Sequence, residues 1–474
     1  MHLRNVCIGL LASVVAACAA GPDYEAPAVE PDGEWVTRTP AGTPDLDAWW
    51  THFEDPVLDQ LVQQALAQNL DLKVALERIA IARAARDSAA AAFAPALDAR
   101  ASVTERRQSE NGPLPIGQIP GIERDQTIYD LGFDASWELD LAGRTRRAVE
   151  AGDAATDAAI LRAEGARVAV AAEVTRAYLE LRGAQQRLAA RSAAVAAARR
   201  TQELVDQRVE AGESARAELA RAQVEVQTLE AGLPALESRS RVSALALALL
   251  LGEPPQAVQS LLATHVEPVP LEAIPVGERA ALLRRRPDVL AAERELAAAT
   301  AEIGVATAEL FPRLVIGASG GFESLDTGTL FDAASETWSI MPRISWRLFD
   351  GGRVRAGIRG AQARARIAAF EYERTVLAAL NDAEQALSRY ALGLEALERQ
   401  RDAQSAAERS YRFAEQRYRA GETALIELLD AERALRSVED ALAATHTGAA
   451  VDLVALYKAL GGGFDPDTWT AVRR

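Results

Sequence analysis

The stretch YDLGFDASWELDLAGR, Tyr129 to Arg144, decides the fold, because apolar and polar side chains alternate along it up to a turn, after which a helical pattern begins. Strict alternation indicates a strand with one apolar and one wet face. The chain repeats the arrangement at WSIMPRISWRLFDGGR, Trp338 to Arg353. Pro342 lies inside this second stretch and predicts a bulge or bend there. The two stretches predict two equivalent strand-to-helix junctions.

These junctions belong to an internal duplication of the chain. From each junction to the end of its copy, matching residues are 209 positions apart, as in the pairs Trp137/Trp346, Gly143/Gly352, Gly212/Gly421 and Gly252/Gly461. Upstream of the junctions the offset is 217, as in Asp71/Asp288 and Pro95/Pro312. A unit of this length is far longer than a solenoid repeat. The sequence therefore predicts a duplicated module.

Each copy predicts a helix followed by a β-hairpin. In copy one, Ala, Leu and charged residues at helical spacing run from Leu58 to Phe93, and alternation begins at Leu97. NGPLPIGQIPG, residues 111 to 121, is typical of a loop between the two strands. One hairpin per copy gives a prediction of four strands for the chain.

A very long helical run follows each junction. Arg144 to Gly212 and Arg353 to Gly421 are both 68 steps, which corresponds to about 102 Å of helix. The return run of copy one, Glu213 to Leu251, corresponds to about 58 Å of helix. Placed end to end, this run and the helix before the strands have about the length of the long helix. Gly212 and Gly421 are predicted to be hairpin tips, since glycine takes the left-handed conformation that ends a helix.

Four strands with one apolar face cannot close a barrel alone, and an open edge is not tolerated in lipid. If the apolar face meets lipid, several chains must complete the barrel, and the polar face would line water. The alternative is a soluble two-sided sheet packed on helices. Aromatic-rich alternation and an export signal favour the membrane.

The first residues indicate export. A short basic start precedes the apolar run Val6 to Val15, which is too short to span a membrane. VVAAC ends at Cys18 and is similar to a bacterial lipobox, which predicts lipidation of Cys18. An ordinary signal peptide with a chance cysteine is the alternative. Cys7 lies inside the signal, so cleavage would leave no partner for a disulfide.

Composition excludes several function classes. A net charge of −16 argues against a nucleic-acid partner. The four histidines are scattered and one cysteine would remain, so no metal site and no catalytic residues are predicted. The glycines 461 to 463 are not a phosphate loop, because no Lys-Ser or Lys-Thr follows. We expect no enzyme and no cofactor, apart from the covalent lipid on Cys18.

In this order, the CAAGPDYEAP start, the duplicated hairpin with LAGR or FDGGR, and the RVEAG and RYRAG tips resemble the TolC-like outer-membrane factor family, in its NodT- and OprM-like lipoprotein branch. The resemblance covers nearly everything from Cys18 to Gly463. It implies an α+β membrane protein: a homotrimer with a 12-stranded transmembrane β-barrel, four strands per chain, continuous with a long periplasmic α-helical coiled-coil barrel. It also implies a periplasmic adaptor and an inner-membrane resistance-nodulation-division transporter as partners.

The resemblance also implies a periplasmic gate. Acids at the positions of Glu427 and Asp430 form the constriction in the family, and their spacing places them on one helix face. Three copies would form rings of carboxylates that collect cations. Tyr418 matches a family tyrosine that links to the acid of the neighbouring tip, here Glu218. The alternative is that Glu427 and Asp430 are solvated surface acids.

The match at the gate is incomplete, and the tips carry two further candidates. Copy one has Arg221 at the place of Asp430, and Thr423 stands where some relatives have an arginine. Arg208 with Gly212 and Arg417 with Gly421 are the candidate adaptor contacts. The two arginines are equally expected to complement the helix dipole.

The domain prediction is a signal peptide at 1–17, a lipidated extension at 18–57, repeat 1 at 58–264 and repeat 2 at 275–464. The predicted function is an outer-membrane exit duct of a tripartite efflux pump, which passively passes drugs or other small molecules. Two alternatives remain at this point: an exit duct for type I protein secretion, and a periplasmic coiled-coil scaffold without a pore.

Overall fold

The structure is a computed structural model that describes residues 19–27, 34–38, 40, 42–109, 123–263 and 269–466. The predicted signal peptide, Cys18, the loop at 111–121 and His265 lie outside the described residues.

Copy one supplies helices on both sides of its hairpin. They are α1 (Pro56–Gln68), α2 (Leu70–Ala90), β1 (Ala96–Arg107), β2 (Asp125–Leu139), α3 (Arg144–Glu210), α4 (Arg216–Ala231), α5 (Leu233–Leu250) and the short α6 (Gln259–Ala263).

Copy two repeats the plan with nearly the same offsets. Its elements are α7 (Arg279–Arg285), α8 (Pro287–Ala308), β3 (Arg313–Ser324), β4 (Glu336–Ser345), α9 (Arg353–Arg419) and α10 (Leu425–Ala459). Both long helices, α3 and α9, have 67 residues and begin at the arginine that ends the junction. The predicted duplication is therefore visible in the element bounds.

The four predicted strands form one antiparallel sheet in the order β1-β2-β3-β4. Pro342 causes no bulge, because the pairing runs without interruption through Ile316 and Pro342. The expected bulge is absent, and β4 is the last strand in the sheet order of the single chain, a position in which proline is tolerated.

A pair of equivalent tryptophans ties the strands to the preceding helices. The Trp137 indole donates to the carbonyl of Phe93 over 2.9 Å, and Trp346 donates to the carbonyl of Leu310 over 3.0 Å. These four positions match under the two offsets of the duplication. Each copy therefore fixes its strand-to-helix geometry with the same contact.

The predicted single helix from Leu58 to Phe93 is wrong in one detail, since Asn69 separates α1 from α2. The Asn69 side-chain oxygen accepts from the N–H groups of Asp71 and Leu72, which is an N-cap of α2. Its amide nitrogen donates to the carbonyl of Leu250 over 2.8 Å. One side chain thus starts α2 and joins it to the end of α5.

The return run of copy one is also broken, between α4 and α5. Pro234 lies in the first turn of α5, where it lacks the N–H that would continue the ladder of α4. The Arg191 guanidinium of α3 donates to the carbonyls of Leu229 (3.1 Å) and Thr228 (3.3 Å). Arg191 therefore satisfies carbonyl groups at the end of α4.

The chain forms two compact units, and each draws on both copies. The first comprises the described residues up to Pro27, residues 80–158 and residues 293–371, and it contains the sheet. In it, the buried Arg147 side chain donates to the Ala20 carbonyl and pairs with Asp23 at 2.6 Å. These contacts fix the segment that directly follows the predicted lipidation site.

The second unit comprises the described residues of 28–79, residues 159–292 and the described residues from 372 onward. Its largest cluster combines helices of both copies with the turn Trp49–Phe53, where Trp49 is fully buried and stacks on Tyr457 at 4.9 Å between ring centroids. The Tyr178 hydroxyl donates to the buried Asp55 over 2.5 Å. Burial and this bond raise the pKa of Tyr178 above its ordinary value.

No helix in the described part of the chain has both the length and the apolar character needed to cross a membrane.

Candidate functional site

The two hairpin tips end their long helices with the same turn. Gly212 has φ of 78° and Gly421 has φ of 74°, so both take the predicted left-handed conformation. Glu213 N–H donates to the Arg208 carbonyl over 2.8 Å, and Glu422 N–H donates to the Arg417 carbonyl over 2.9 Å. With the glycine N–H bonds to Val209 and Tyr418, this is the Schellman motif in both copies.

An arginine pairs with a glutamate across each turn. Arg208 Nε lies 3.8 Å from a Glu213 carboxylate oxygen, and Arg417 Nε lies 3.8 Å from one of Glu422. Arg417 and both glutamates are well exposed and the Arg208 side chain is 40% exposed, so each pair contributes little to stability. Each predicted arginine thus lies beside its predicted glycine at the tip.

Tyr418 contacts Arg208 within the chain, whereas the resemblance pointed to Glu218. The Arg208 guanidinium donates to the Tyr418 hydroxyl over 2.8 Å and lies 5.7 Å from the centre of its ring. Tyr418 also packs on the apolar cluster that joins the two tips, built on Val205, Leu425, Leu428 and Leu429. Tyr418 therefore holds the copy-one tip to the copy-two tip.

The two predicted gate acids lie on the exposed side of α10. Glu427 and Asp430 are exposed, while Leu425, Leu428 and Leu429 on the other side are buried. Thr423 donates its hydroxyl to the Glu427 carboxylate. The four-residue offset places this bond along the first turn of the helix. Thr423 therefore orients an acid where some relatives have an arginine.

Asp430 belongs to a short chain of charges that reaches copy one. Arg433 lies 3.3 Å from Asp430 and 2.6 Å from Glu225, which is on α4 and only 8% exposed. The hydrogen bond from Arg433 to Glu225 raises the pKa of the guanidinium. Breaking this pair would leave the buried Glu225 carboxylate without its partner, which costs more than breaking an exposed pair.

Sequence reasoning missed Arg433 and Glu225. The spacing of three between Asp430 and Arg433 is visible in the sequence and could have indicated that pair. The contact with Glu225 joins residues 208 positions apart and has no local signal. In copy one, Glu218 is half-buried and Arg221 is exposed, so at these matched positions copy one has one acid where copy two has two exposed ones.

At the other functional surface, the sheet has one apolar and one polar face. Large apolar side chains of its outer strands are more than half exposed: Leu97, Val103, Trp338, Ile340 and Ile344. The opposite face carries Arg100, which pairs with Asp130 at 2.5 Å and with Asp134 at 2.8 Å. An exposed apolar face opposite a charged one suits a sheet between lipid and water.

Among the described residues, no group of three or more His, Cys, Asp or Glu side chains is arranged to hold a metal ion.

Comparison with known proteins agrees with this geometry. The family described as outer membrane efflux protein matches residues 61–253 and 280–462. Nodulation protein T of Rhizobium leguminosarum bv. trifolii is 31% identical over 96% of this chain and 96% of its own length. Outer membrane protein OprJ of Pseudomonas aeruginosa is 33% identical over 98% of this chain and 97% of its own length.

A solved structure of the outer-membrane channel OprN superimposes with a TM-score of 0.86 at 37% identity, covering 94% of this chain and 99% of that one. The four-stranded sheet, the duplicated helical hairpins and the full-length matches all lead to the same assignment: the chain belongs to the outer membrane efflux protein family, as a channel protein of the outer membrane.

Proposed function

We propose that three copies of this chain form the exit duct of a tripartite efflux pump. The sheet supports this assembly most directly. Its order leaves β1 and β4 as open edges, while its apolar face is exposed in the single chain. In lipid the edges must be paired, and edge pairing between three chains gives a closed barrel with the polar face around water.

Cys18 would carry a lipid that anchors the mature chain to the outer membrane. Support comes from Arg147, which fixes the backbone at Ala20, two residues beyond Cys18, by a hydrogen bond of 3.1 Å. Gly143 lies so close to Ala19 that a Cβ atom at Gly143 would be 2.7 Å from its Cα atom. The lipid would therefore start next to the strand-to-helix junction of copy one.

The hairpin tips would face the periplasm and meet the adaptor, which connects the duct to the inner-membrane transporter. Arg208 and Arg417 are the proposed contact residues, since the Schellman turns hold them beside Gly212 and Gly421 on an exposed surface. The transporter would supply the energy, and the duct would pass drugs or other small molecules passively.

Glu427 and Asp430 would form the narrowest rings of the duct. They are exposed on a helix whose opposite side is packed into the chain, which would let their carboxylates face an axis shared by three copies. Rings of like charge repel one another and attract cations. The gate would therefore select for cations and be held closed by the packing behind it.

Single-channel recording in planar bilayers tests the gate. We expect Glu427→Ala with Asp430→Ala to raise conductance and reduce cation selectivity, because charge and volume are removed from the constriction. The matched control is Arg221→Ala, at the copy-one position equivalent to Asp430, which should leave conductance nearly unchanged. An effect of this control equal to that of the double variant would reject the copy-two ring, and a monomeric, non-conducting protein would reject the duct.

A further inference from the structure

A third acid of α10 lies behind the proposed gate. Glu432 is two residues beyond Asp430, but it is on the packed side of the helix and only 8% exposed. Within the described residues, its carboxylate takes part in no hydrogen bond or ion pair, although Arg433 and Arg436 are close in sequence. The side chain is mostly buried, and an ionised carboxylate without a partner is costly in such a position, so packing alone does not account for an acid here.

The charges around Glu432 come from four helices. On α10 itself, Arg433 is engaged by Glu225 and Arg436 by Glu439 at 2.8 Å. Glu225 of α4 and Glu415 of α9 add negative charge, while Arg200 of α3 adds positive charge and Tyr411 of α9 also faces the group. Both nearby arginines on α10 thus pair with other acids, although the Arg436 Nε is buried without a hydrogen-bond partner, and two like charges face Glu432.

Burial raises the pKa of Glu432 above its ordinary value, with Glu225 and Glu415 adding to the rise and Arg436 and Arg200 opposing it. A carboxyl whose pKa is raised by packing destabilises the packed state once it is ionised. At a pH below the ordinary glutamate pKa, Glu432 is neutral and does not destabilise the packing. As the pH rises towards the raised pKa of Glu432, its ionisation weakens the packing.

We propose that Glu432 is a proton-sensitive positioning residue of the gate: its neutral form keeps α10 packed on α3, α4 and α9, and its ionised form favours their separation. The proposal rests on the proposed function, since it assumes that these tips surround the entrance of the duct. Because one proton per chain is involved, the ratio of separated to packed tips in each chain changes by at most about tenfold per pH unit.

The ring acids differ from Glu432 in exposure, which makes the two roles separable. Glu427 and Asp430 face solvent and would set ion selectivity, whereas Glu432 faces the helix interior. Glu432→Gln keeps the shape of the side chain and removes its charge. We expect this variant to stay in the low-conductance state from pH 4.5 to pH 8, with unchanged cation selectivity.

The experiment is single-channel recording of the complete reconstituted protein while the pH on the side of the tips is varied. The wild type should conduct more as the pH rises through the window above the ordinary glutamate pKa, and Glu432→Gln should lose that rise. Glu427→Gln with Asp430→Asn is the matched control, which should change selectivity and keep a rise with pH. A Glu432→Gln channel with the same pH response as the wild type would overturn the proposal.

Glu225→Gln gives a second test, with an outcome that a purely structural role of Glu432 would not predict. Removing this facing negative charge and freeing Arg433 should lower the pKa of Glu432, so the conductance transition should move to lower pH. A transition that stays in place or moves to higher pH would contradict the proposal. A protein that assembles but conducts at no pH, even with the ring acids removed, would instead contradict the proposed function.

Discussion

The tips of copy one and copy two share a turn but differ in the return helix beyond it. Both long helices end at a left-handed glycine with the same pair of backbone hydrogen bonds. The return helix of copy two, α10, is unbroken over 35 residues, whereas copy one is divided at Gly232 into α4 and α5. A turn made by the backbone survives duplication, while the helices beyond it are free to change.

The side chains at the two tips also differ in their roles. Copy two presents Glu427 and Asp430 to solvent, while copy one has Arg221 at the second position. Arg208 and Arg417 both pair with a glutamate across their own turn, and Arg208 also donates to Tyr418 of the other tip. Copy one thus acts as a support against which copy two holds its acids.

The largest difference in stability is expected between glycine-to-alanine variants of the two long helices, at the positions where α3 and α9 meet α10. A Cβ atom at Gly183 of α3 would lie 2.2 to 2.9 Å from three side-chain atoms of Thr447, whereas at Gly393 of α9 the nearest atom, in Ala449, is 3.4 Å away. Gly183→Ala should therefore destabilise the protein by about 3 kcal/mol through overpacking. Gly393→Ala should be close to neutral. Thermal unfolding followed by circular dichroism, at one protein concentration, measures both.

Thr447→Ala sharpens this comparison, because it removes the two nearest atoms from the path of the new methyl group. The double variant Gly183→Ala, Thr447→Ala should recover part of the lost stability. Equal losses for Gly183→Ala and Gly393→Ala would show that the two long helices pack on α10 in the same way.

The shared turns should respond equally to substitution. No atom lies within 4 Å of a Cβ placed on Gly212 or Gly421, so only the positive φ opposes a side chain. Gly212→Ala and Gly421→Ala should each cost about 1 to 2 kcal/mol. Gly448→Ala is the control, since this open position inside α10 should gain about 1 kcal/mol from helix propensity. Unequal losses of stability for the two variants in thermal unfolding would show that the two turns are not equivalent.

The duplicated features were predictable because their signals are local and occur twice. The strand alternation, the junction turns and the tip glycines each depend on residues near one another in sequence, so four strands and two long helices follow from pattern alone. The family resemblance then supplied Glu427 and Asp430, which no periodicity distinguishes from other acids on a charged helix.

The breaks and the contacts between tips were not predictable in the same way. Asn69 has a capping side chain but lies in an unbroken helical pattern, and its second bond, to Leu250, is formed 181 positions away. Pro234 is compatible with a helix start or with a kink. The end of α4 is stabilised by Arg191 of α3, which donates to the Leu229 carbonyl. Tyr418 was placed by analogy on Glu218, but Arg208 is its partner in the folded chain.

The smallest expected effect concerns the two arginines before the tips. Arg208→Ala removes a hydrogen bond and a cation–π contact to the half-buried Tyr418, which should cost about 1 kcal/mol. Arg417→Ala removes an exposed pair at 3.8 Å, which should cost about 0 to 0.5 kcal/mol. Tyr418→Phe separates the contributions, because it keeps the ring and loses the hydroxyl, so it should cost less than Arg208→Ala. If thermal unfolding ranks Arg417→Ala as the more damaging change, Arg208 does not join the tips, and the support that copy one gives to copy two comes from the apolar cluster and the Arg433–Glu225 pair.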